Sequence, residues 1–253
     1  MDKCKLCLKE SVLQESHILP NSIAKRIKNN GQTIVITNNR HPKAENSNFN
    51  YVEPMFCWDC EQTLCKYEKY GTNVTINKNL IKRKGDDLVV FKVDFKKYYL
   101  YLISILWRAG LTNHREFSTV RLGLPFLELM RNCLLENKLT WQKIHLEDLI
   151  SISIIKIKNE YPHLTDESIR KIIITPRLDE DNSQTRYYYM MYDGFVFAYY
   201  YTGHSSLIQN RTKPKFRLRR STRNKFPAKG IKSIPIINNK LYDAQLAAQP
   251  KKT

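Results

Sequence analysis

The sequence predicts an α+β protein, on three observations. Two C-x-x-C pairs fall within the first sixty residues, an almost wholly apolar run lies near residue 100, and runs of β-branched and aromatic residues follow residue 150. These divide the chain into a metal-stapled module over 1–75, an α+β body over 76–210 in which a helical segment leads into an antiparallel β-sheet, and a basic C-terminal tail over 211–253.

The pairs are Cys4-Lys5-Leu6-Cys7 and Cys57-Trp58-Asp59-Cys60. Two residues between thiolates let a tight turn aim both sulfurs at one ion, and two such turns complete the tetrahedron that zinc prefers. A redox pair would need only one C-x-x-C, and a reducing compartment disfavours disulfides, so Cys4, Cys7, Cys57 and Cys60 are the expected ligands of a structural Zn²⁺. Cys65 and Cys133 have no partner at ligand spacing and are expected to be buried as small apolar residues. The stretch between the pairs (NNGQTIVITNNRHPKAENSNFN) is polar and reads as irregular, so metal binding would supply folding energy that packing cannot.

Along the chain, residues 21–29 read as a short helix with Ile23 and Ile27 on one face, ending at Gly31, and 58–70 as a second helix. On that second helix Glu61, Cys65 and Glu68 share one face, at i, i+4 and i+7. An alternating stretch over 88–93 suggests a strand. Residues 96–109 form the strongest helix pattern, apolar nearly all round and closed by Gly110, with Arg108 expected to pair with an acid. Residues 124–137 read as a further helix, with Pro125 in its first turn. Beyond 150 the period changes: 150–158, 169–177 and 186–201 read as strands, and Asp193-Gly194 marks a hairpin. The tyrosines of that hairpin are expected to cover a core on one side and leave the other wet.

Charge is distributed unevenly. Residues 1–70 carry ten basic and eight acidic side chains and residues 71–210 nineteen and fifteen, whereas residues 211–253 carry thirteen and one, so two-thirds of the net +18 lies in the tail. A cationic tail on a near-neutral body fits a polyanion, to which counterion release adds affinity. Arg211, Lys213, Lys215, Arg217, Arg219, Arg220, Arg223 and Lys225 are the candidate nucleic-acid contacts, in a segment expected to be loose alone and to order on its partner. The longest apolar run spans about ten residues, half of what a membrane span needs, and the N-terminus lacks a signal-peptide stretch; a cytoplasmic protein with no membrane partner is expected. Neither a Walker loop nor G-x-G-x-x-G is present.

Between the cysteine pairs stands Glu15-Ser16-His17-Ile18-Leu19-Pro20. A C-x-x-C, then His with an apolar pair and Pro, then a C-x-x-C opening a helix resembles the zinc-containing HNH, or His-Me finger, endonucleases. The likeness is greatest to a bacterial branch with S-H-I-x-P and C-x-x-C-E motifs, associated with phage defence and mobile elements. It covers roughly 1–70, and more weakly Ser104–Arg108 and Val120–Gly123. The resemblance implies a ββα-metal-like module in which His17 is the general base for phosphodiester hydrolysis beside a divalent metal; Glu61 and Glu68, from their shared helical face, are the candidate catalytic carboxylates that would hold Mg²⁺ or Mn²⁺. DNA is favoured over RNA as substrate, and an ATPase or sensor subunit is a possible partner. This chain departs from the pattern: Ser16 stands where the family has Asp or His, Glu61 where it has His or Asn, and Asn38, Asn39, Asn46, Asn48 and Asn50 compete for the middle position. The alternative reading is a non-catalytic zinc protein that binds nucleic acid or a partner defence complex.

Overall fold

The computed structural model describes residues 2–28, 33–38, 42–47, 50–77, 79–162, 164–179, 187–201 and 216–248, with side chains described up to residue 242. The chain opens with a small hairpin, β1 (Asp2–Lys3) against β2 (Glu10–Ser11), followed by β3 (Gln14–His17) and helix α1 (Asn21–Lys28). Strands β4 (Thr33–Ile36) and β5 (Ala44–Ser47) come next, then β6 (Val52–Phe56) and helix α2 (Trp58–Val74). Strand β6 returns antiparallel to β3 and pairs His17 with Val52. The Gly31 proposed to end α1 lies outside the described residues.

The body contains the hairpin of β7 (Ile81–Lys84) and β8 (Asp87–Phe91), helix α3 (Phe95–Leu111), helix α4 (Leu124–Leu135), a two-strand turn of β9 (Thr140–Trp141) and β10 (Ile144–His145), and the short helix α5 (Leu146–Leu149). Strand β11 (Ile150–Lys158), helix α6 (Asp166–Lys171), β12 (Ile172–Leu178), β13 (Tyr187–Tyr192) and β14 (Phe195–Tyr201) follow. Strands β15 (Arg223–Phe226) and β16 (Ala228–Gly230) and helix α7 (Pro235–Ala248) complete the order. Helix α3 starts where Asp94 accepts a hydrogen bond from the backbone N–H of Lys97, and it runs through Gly110 rather than stopping there.

The central sheet has the order β16-β11-β14-β13-β12-β4-β5. Strands β11, β14, β13 and β12 pair antiparallel as expected, but the whole sheet is mixed: β16 runs parallel to β11, and β12 parallel to β4, with Ile172, Ile173 and Ile174 beside Ile34, Val35 and Ile36. The segment between the cysteine pairs therefore supplies two strands to this sheet, and its Thr-Ile-Val-Ile run outweighs the polar residues around it. Asp193-Gly194 makes the tight turn of the β13–β14 hairpin, both residues at positive φ (51° and 74°).

Both faces of the sheet are covered, which corrects the expectation of one wet side. Tyr188, Met190, Tyr192, Phe195, Phe197 and Tyr199 join α2, α3 and α4 in the main core. Tyr189, Met191 and Val196 face a smaller core built with Ile169, Ile231 and Ile237. The buried tyrosines place their hydroxyls: Tyr199 donates to Leu102 O (3.1 Å) and Tyr99 to Ile150 O (2.7 Å), and burial holds both phenols well above their usual pKa.

The third departure is at the C-terminus. From residue 216 the segment expected to be loose is part of the fold: β15 pairs with β8, β16 with β11, and Leu218, Phe226 and Ile237 are buried. Its apolar residues alternate with cations, so Arg223 and Lys225 face out while Asn224 and Phe226 face in. Phe226 is packed near Tyr98 of α3 (ring centroids 6.4 Å). Phe226→Ala is expected to cost about 3–5 kcal/mol in urea unfolding; a change within a few tenths of a kcal/mol would show that β15 is not a structural strand.

Candidate metal centre and basic face

The first cysteine pair sits in the loop closed by β1 and β2. Cys4 N–H donates to Lys9 O and Leu8 N–H to Cys4 O (both 2.9 Å), the latter with Leu8 at φ 64°. The loop is fastened to the body at three points. Lys5 N–H donates to Met55 O on β6 (2.9 Å), Arg131 of α4 donates to Leu6 O (3.0 Å), and Leu6 is itself fully buried. The second pair opens α2, with Cys57 as the residue before its first turn. The positive end of that helix favours negative charge on Cys57 and Cys60.

These two turns bring the four sulfurs within 4.8 Å of one another. Cys7 Sγ and Cys57 Sγ are 3.8 Å apart, the separation of about 3.8 Å expected across a tetrahedron with Zn–S bonds of about 2.3 Å. Cys57 N–H donates to Cys4 Sγ (3.3 Å). Burial opposes ionisation of Cys4, yet the backbone N–H groups of Cys57, Cys7 and Leu6 and the Cys7 thiol together lower its pKa to about 7. Burial pushes Cys57 up against the lowering effect of the Cys60 backbone and thiol, and burial followed by the neighbouring sulfurs pushes Cys60 up. Four such thiols ionise together only around a cation, and all-sulfur tetrahedral ligation fits zinc. The four cysteines named from their spacing are thus gathered in one place.

Cys65 is exposed on α2, a correction to its expected burial, because it falls on the helix face opposite Leu64 and Tyr67; Cys133 is buried as expected.

His17 ends β3, half-buried, and among the described residues its imidazole has no hydrogen-bond partner. Its backbone oxygen accepts from Arg108 Nη1 at 2.7 Å, and the same nitrogen lies 2.7 Å from Glu68 Oε1. Arg108 is buried on α3 and also donates through Nε to Ser104 O (3.2 Å). The expected acid partner of Arg108 is therefore Glu68, and one guanidinium joins β3, α2 and α3. Glu61 stands one residue after Cys60, with Oε1 buried and without a hydrogen-bond partner. Ser16 is buried and donates to Gln14 O (3.1 Å), so its hydroxyl is used within its own strand.

Among the described residues, the cysteines are the one group of three or more His, Cys, Asp or Glu side chains with ligand atoms close enough to share an ion. His17, Glu61 and Glu68 do not form such a group. Asn38 is committed elsewhere, its backbone N–H donating to Glu116 Oε2 (2.8 Å) and its side chain to Glu116 O (3.1 Å). Asn39 and Asn48 lie outside the described residues.

Of the candidate nucleic-acid contacts, Arg211, Lys213 and Lys215 lie outside the described residues. Arg217 and Arg219 have no ion pair among the described residues, while Arg220 is paired with Glu147 and Lys225 with Asp87 (2.6 Å). Arg223 lies over the Phe91 ring at 5.3 Å, and Lys82 over the same ring at 5.6 Å. In the three-stranded sheet β15-β8-β7, Lys82 and Lys225 both stand opposite Val89, and Arg223 opposite Phe91. Strand alternation puts Lys84 on the same side. Lys82, Lys84, Arg223 and Lys225 thus share one outward face with Asp87 as its acid. Lys82 and Lys84 were missed from the sequence; the run Ile81-Lys-Arg-Lys84 was the available signal.

Purified protein is expected to hold one zinc ion per chain by metal analysis. Cys60→Ser should lose it and Cys65→Ser keep it. Zinc affinity should fall as pH drops from about 8 to about 5, because protons compete for thiolates, and a pH-independent affinity would contradict thiolate ligation. Glu68→Ala, which strands the buried Arg108 charge, should cost about 3–5 kcal/mol in chemical unfolding.

No helix of the described residues is long and apolar enough to cross a membrane. No family model, curated protein or solved structure matches this chain.

Proposed function

We propose that this protein is a zinc-stapled endonuclease of HNH type that acts on nucleic acid, with His17 as the general base. The observation that carries the reading is local. Antiparallel β3 and β6, separated in the chain by α1, β4 and β5, pair directly ahead of α2, and the cysteine clasp joins the loop before β3 to the start of that helix, an arrangement that supports a ββα-metal-like reading. His17 ends the first strand with an imidazole that has no hydrogen-bond partner among the described residues, and an imidazole so placed can take a proton from an attacking water. Glu61, with an unpartnered oxygen beside the clasp, is the carboxylate available to orient that water or a phosphate-bound ion. Glu68 would act through Arg108, setting the main chain at His17, rather than touching substrate. The cationic face of β7 and β15, with Phe91 between two cations, supplies phosphate contacts, and DNA is the favoured partner. A role in anti-phage defence or in mobile elements, and an ATPase or sensor partner, rest on the resemblance in the S-H-I-x-P and C-x-x-C-E motifs alone.

A second reading, a zinc protein that binds nucleic acid or a partner complex without cutting, is favoured by a specific contact. Glu68 is neutralised by Arg108, which leaves no carboxylate pair for a second divalent ion.

The readings separate in a cleavage assay with Mg²⁺ or Mn²⁺ on plasmid, single-stranded DNA and RNA. The nuclease reading expects wild-type cutting and a loss of about a hundredfold or more in His17→Ala; equal cutting by both removes His17 as the base. Binding by a chain that does not cut supports the second reading. In either case, Lys82→Glu with Arg223→Glu should lower DNA affinity and flatten the salt dependence by about two counterions.

A further inference from the structure

A cleft of 570 Å³ opens at the opposite end of α2 from the cysteines. Thr75 and Ile76, directly after that helix, form part of its wall. At 1.5 Å per residue, the seventeen residues of α2 place it about 25 Å from the metal centre. Its floor is apolar, made by Ile76, Ile81, Leu88, Ile157, Ile169 and Phe195. Its size lies in the range of small-molecule sites.

The charges around this floor are of two kinds. Asp193, buried at the β13–β14 turn, is held between Arg26 and Arg170, the latter at 2.9 Å from Oδ1. Arg26 also donates to Thr72 O (3.1 Å) at the end of α2. This trio is built into the wall and carries one net positive charge. Arg83 and Lys156 are different: among the described residues neither side chain makes a hydrogen bond or ion pair. Strand alternation turns Arg83 away from the Lys82 and Lys84 face and toward this cleft. With Asp166 at the rim, the cleft carries a net charge of about +2 on an apolar base.

An apolar floor, two cations without a hydrogen bond or ion pair among the described residues and the Asp166 carboxylate match a ligand with a flat apolar body, hydroxyl or amino donors and a phosphate. We propose that the cleft binds a single nucleotide, its phosphate held by Arg83 and Lys156, its base laid over Ile81 and Phe195, and its ribose within reach of Asp166. A fatty acid would satisfy the cations and the floor but leave Asp166 unused, which is why the nucleotide is preferred. The nucleotide unit has two sources, a free mononucleotide or one residue of a nucleic-acid strand. The proposal does not depend on the nuclease reading.

The test is isothermal titration calorimetry of the full-length, zinc-loaded protein with adenosine 5′-monophosphate. One site per chain is expected, with inorganic phosphate and adenosine each weaker by about tenfold or more. Arg83→Gln combined with Lys156→Gln should weaken the monophosphate by about tenfold or more while zinc content and circular dichroism stay unchanged; Arg83→Gln alone, on an exposed strand, should give part of that loss. Displacement of the monophosphate by a short single-stranded oligonucleotide assigns the nucleotide to a strand, and failure to displace assigns it to the free pool. The proposal is overturned by no heat at millimolar monophosphate, by unchanged affinity in the folded double variant, by inorganic phosphate binding as tightly as the nucleotide, or by octanoate competing on equal terms.

Discussion

Closure of four thiols around one point is the constraint from which the N-terminal third of this structure follows. The two cysteine turns are separated by fifty residues of chain, and neither the β1–β2 hairpin nor the four-residue β3–β6 ladder buries enough surface to hold that span together unaided. Structural zinc contributes about 10–16 kcal/mol of apparent binding energy in small sites, comparable to the whole stability of a typical domain. Once the sulfurs are joined, β3 is placed beside α2, with Gln14 paired to Phe56 next to the second cysteine turn and His17 tied through Arg108 to Glu68 further along the helix.

The clasp does not stand apart from the rest of the protein. Leu6, within the first cysteine turn, belongs to the same apolar core as Trp107 and Phe226, and Phe56 just before the second turn stacks on Trp107 at 5.6 Å. Arg108 binds this junction electrostatically. A buried guanidinium is costly unless its charge is matched, and Glu68 matches it while the His17 carbonyl and Ser104 take remaining donors. Arg177, buried under the end of β4, is held differently, by neutral acceptors: it donates to Ile36 O (2.8 Å) and Thr37 O (3.2 Å). Both arginines satisfy backbone carbonyls at the ends of strands, β3 and β4, that lie between the cysteine pairs in the chain.

What could be read from the sequence was whatever depended on local spacing. The C-x-x-C pairs, the apolar face of α3, the Asp193-Gly194 turn and the pairing of Arg108 with an acid each need only a few neighbouring residues or a single charge argument. What could not be read depended on partners far along the chain. Strand β4 looks like a short apolar island in polar surroundings, and only the parallel edge offered by Ile172–Ile174 makes it part of a seven-stranded sheet. The final segment was misjudged because its charge outweighs its apolar residues in composition, whereas the fold sorts them by alternation, putting Phe226 into the core and Lys225 into solvent. At the site, spacing gathers the cysteines correctly, but the helical face shared by Glu61 and Glu68 says nothing of Arg108, which arrives from forty residues away and takes one carboxylate. The basic face is a similar case, since Lys82 and Arg223 meet only through β8.

The account rests most heavily on the metal clasp as the element that holds the strand bearing His17 against α2. Amide hydrogen exchange, compared between zinc-loaded protein and protein stripped by a chelator, tests this directly. Loss of protection should concentrate at Cys4, Ile18 and residues 52–64, while the paired amides of β11, β13 and β14 keep theirs. Unchanged exchange at those N-terminal amides after zinc is gone would mean that packing alone builds the corner, and the clasp would lose its place in the account.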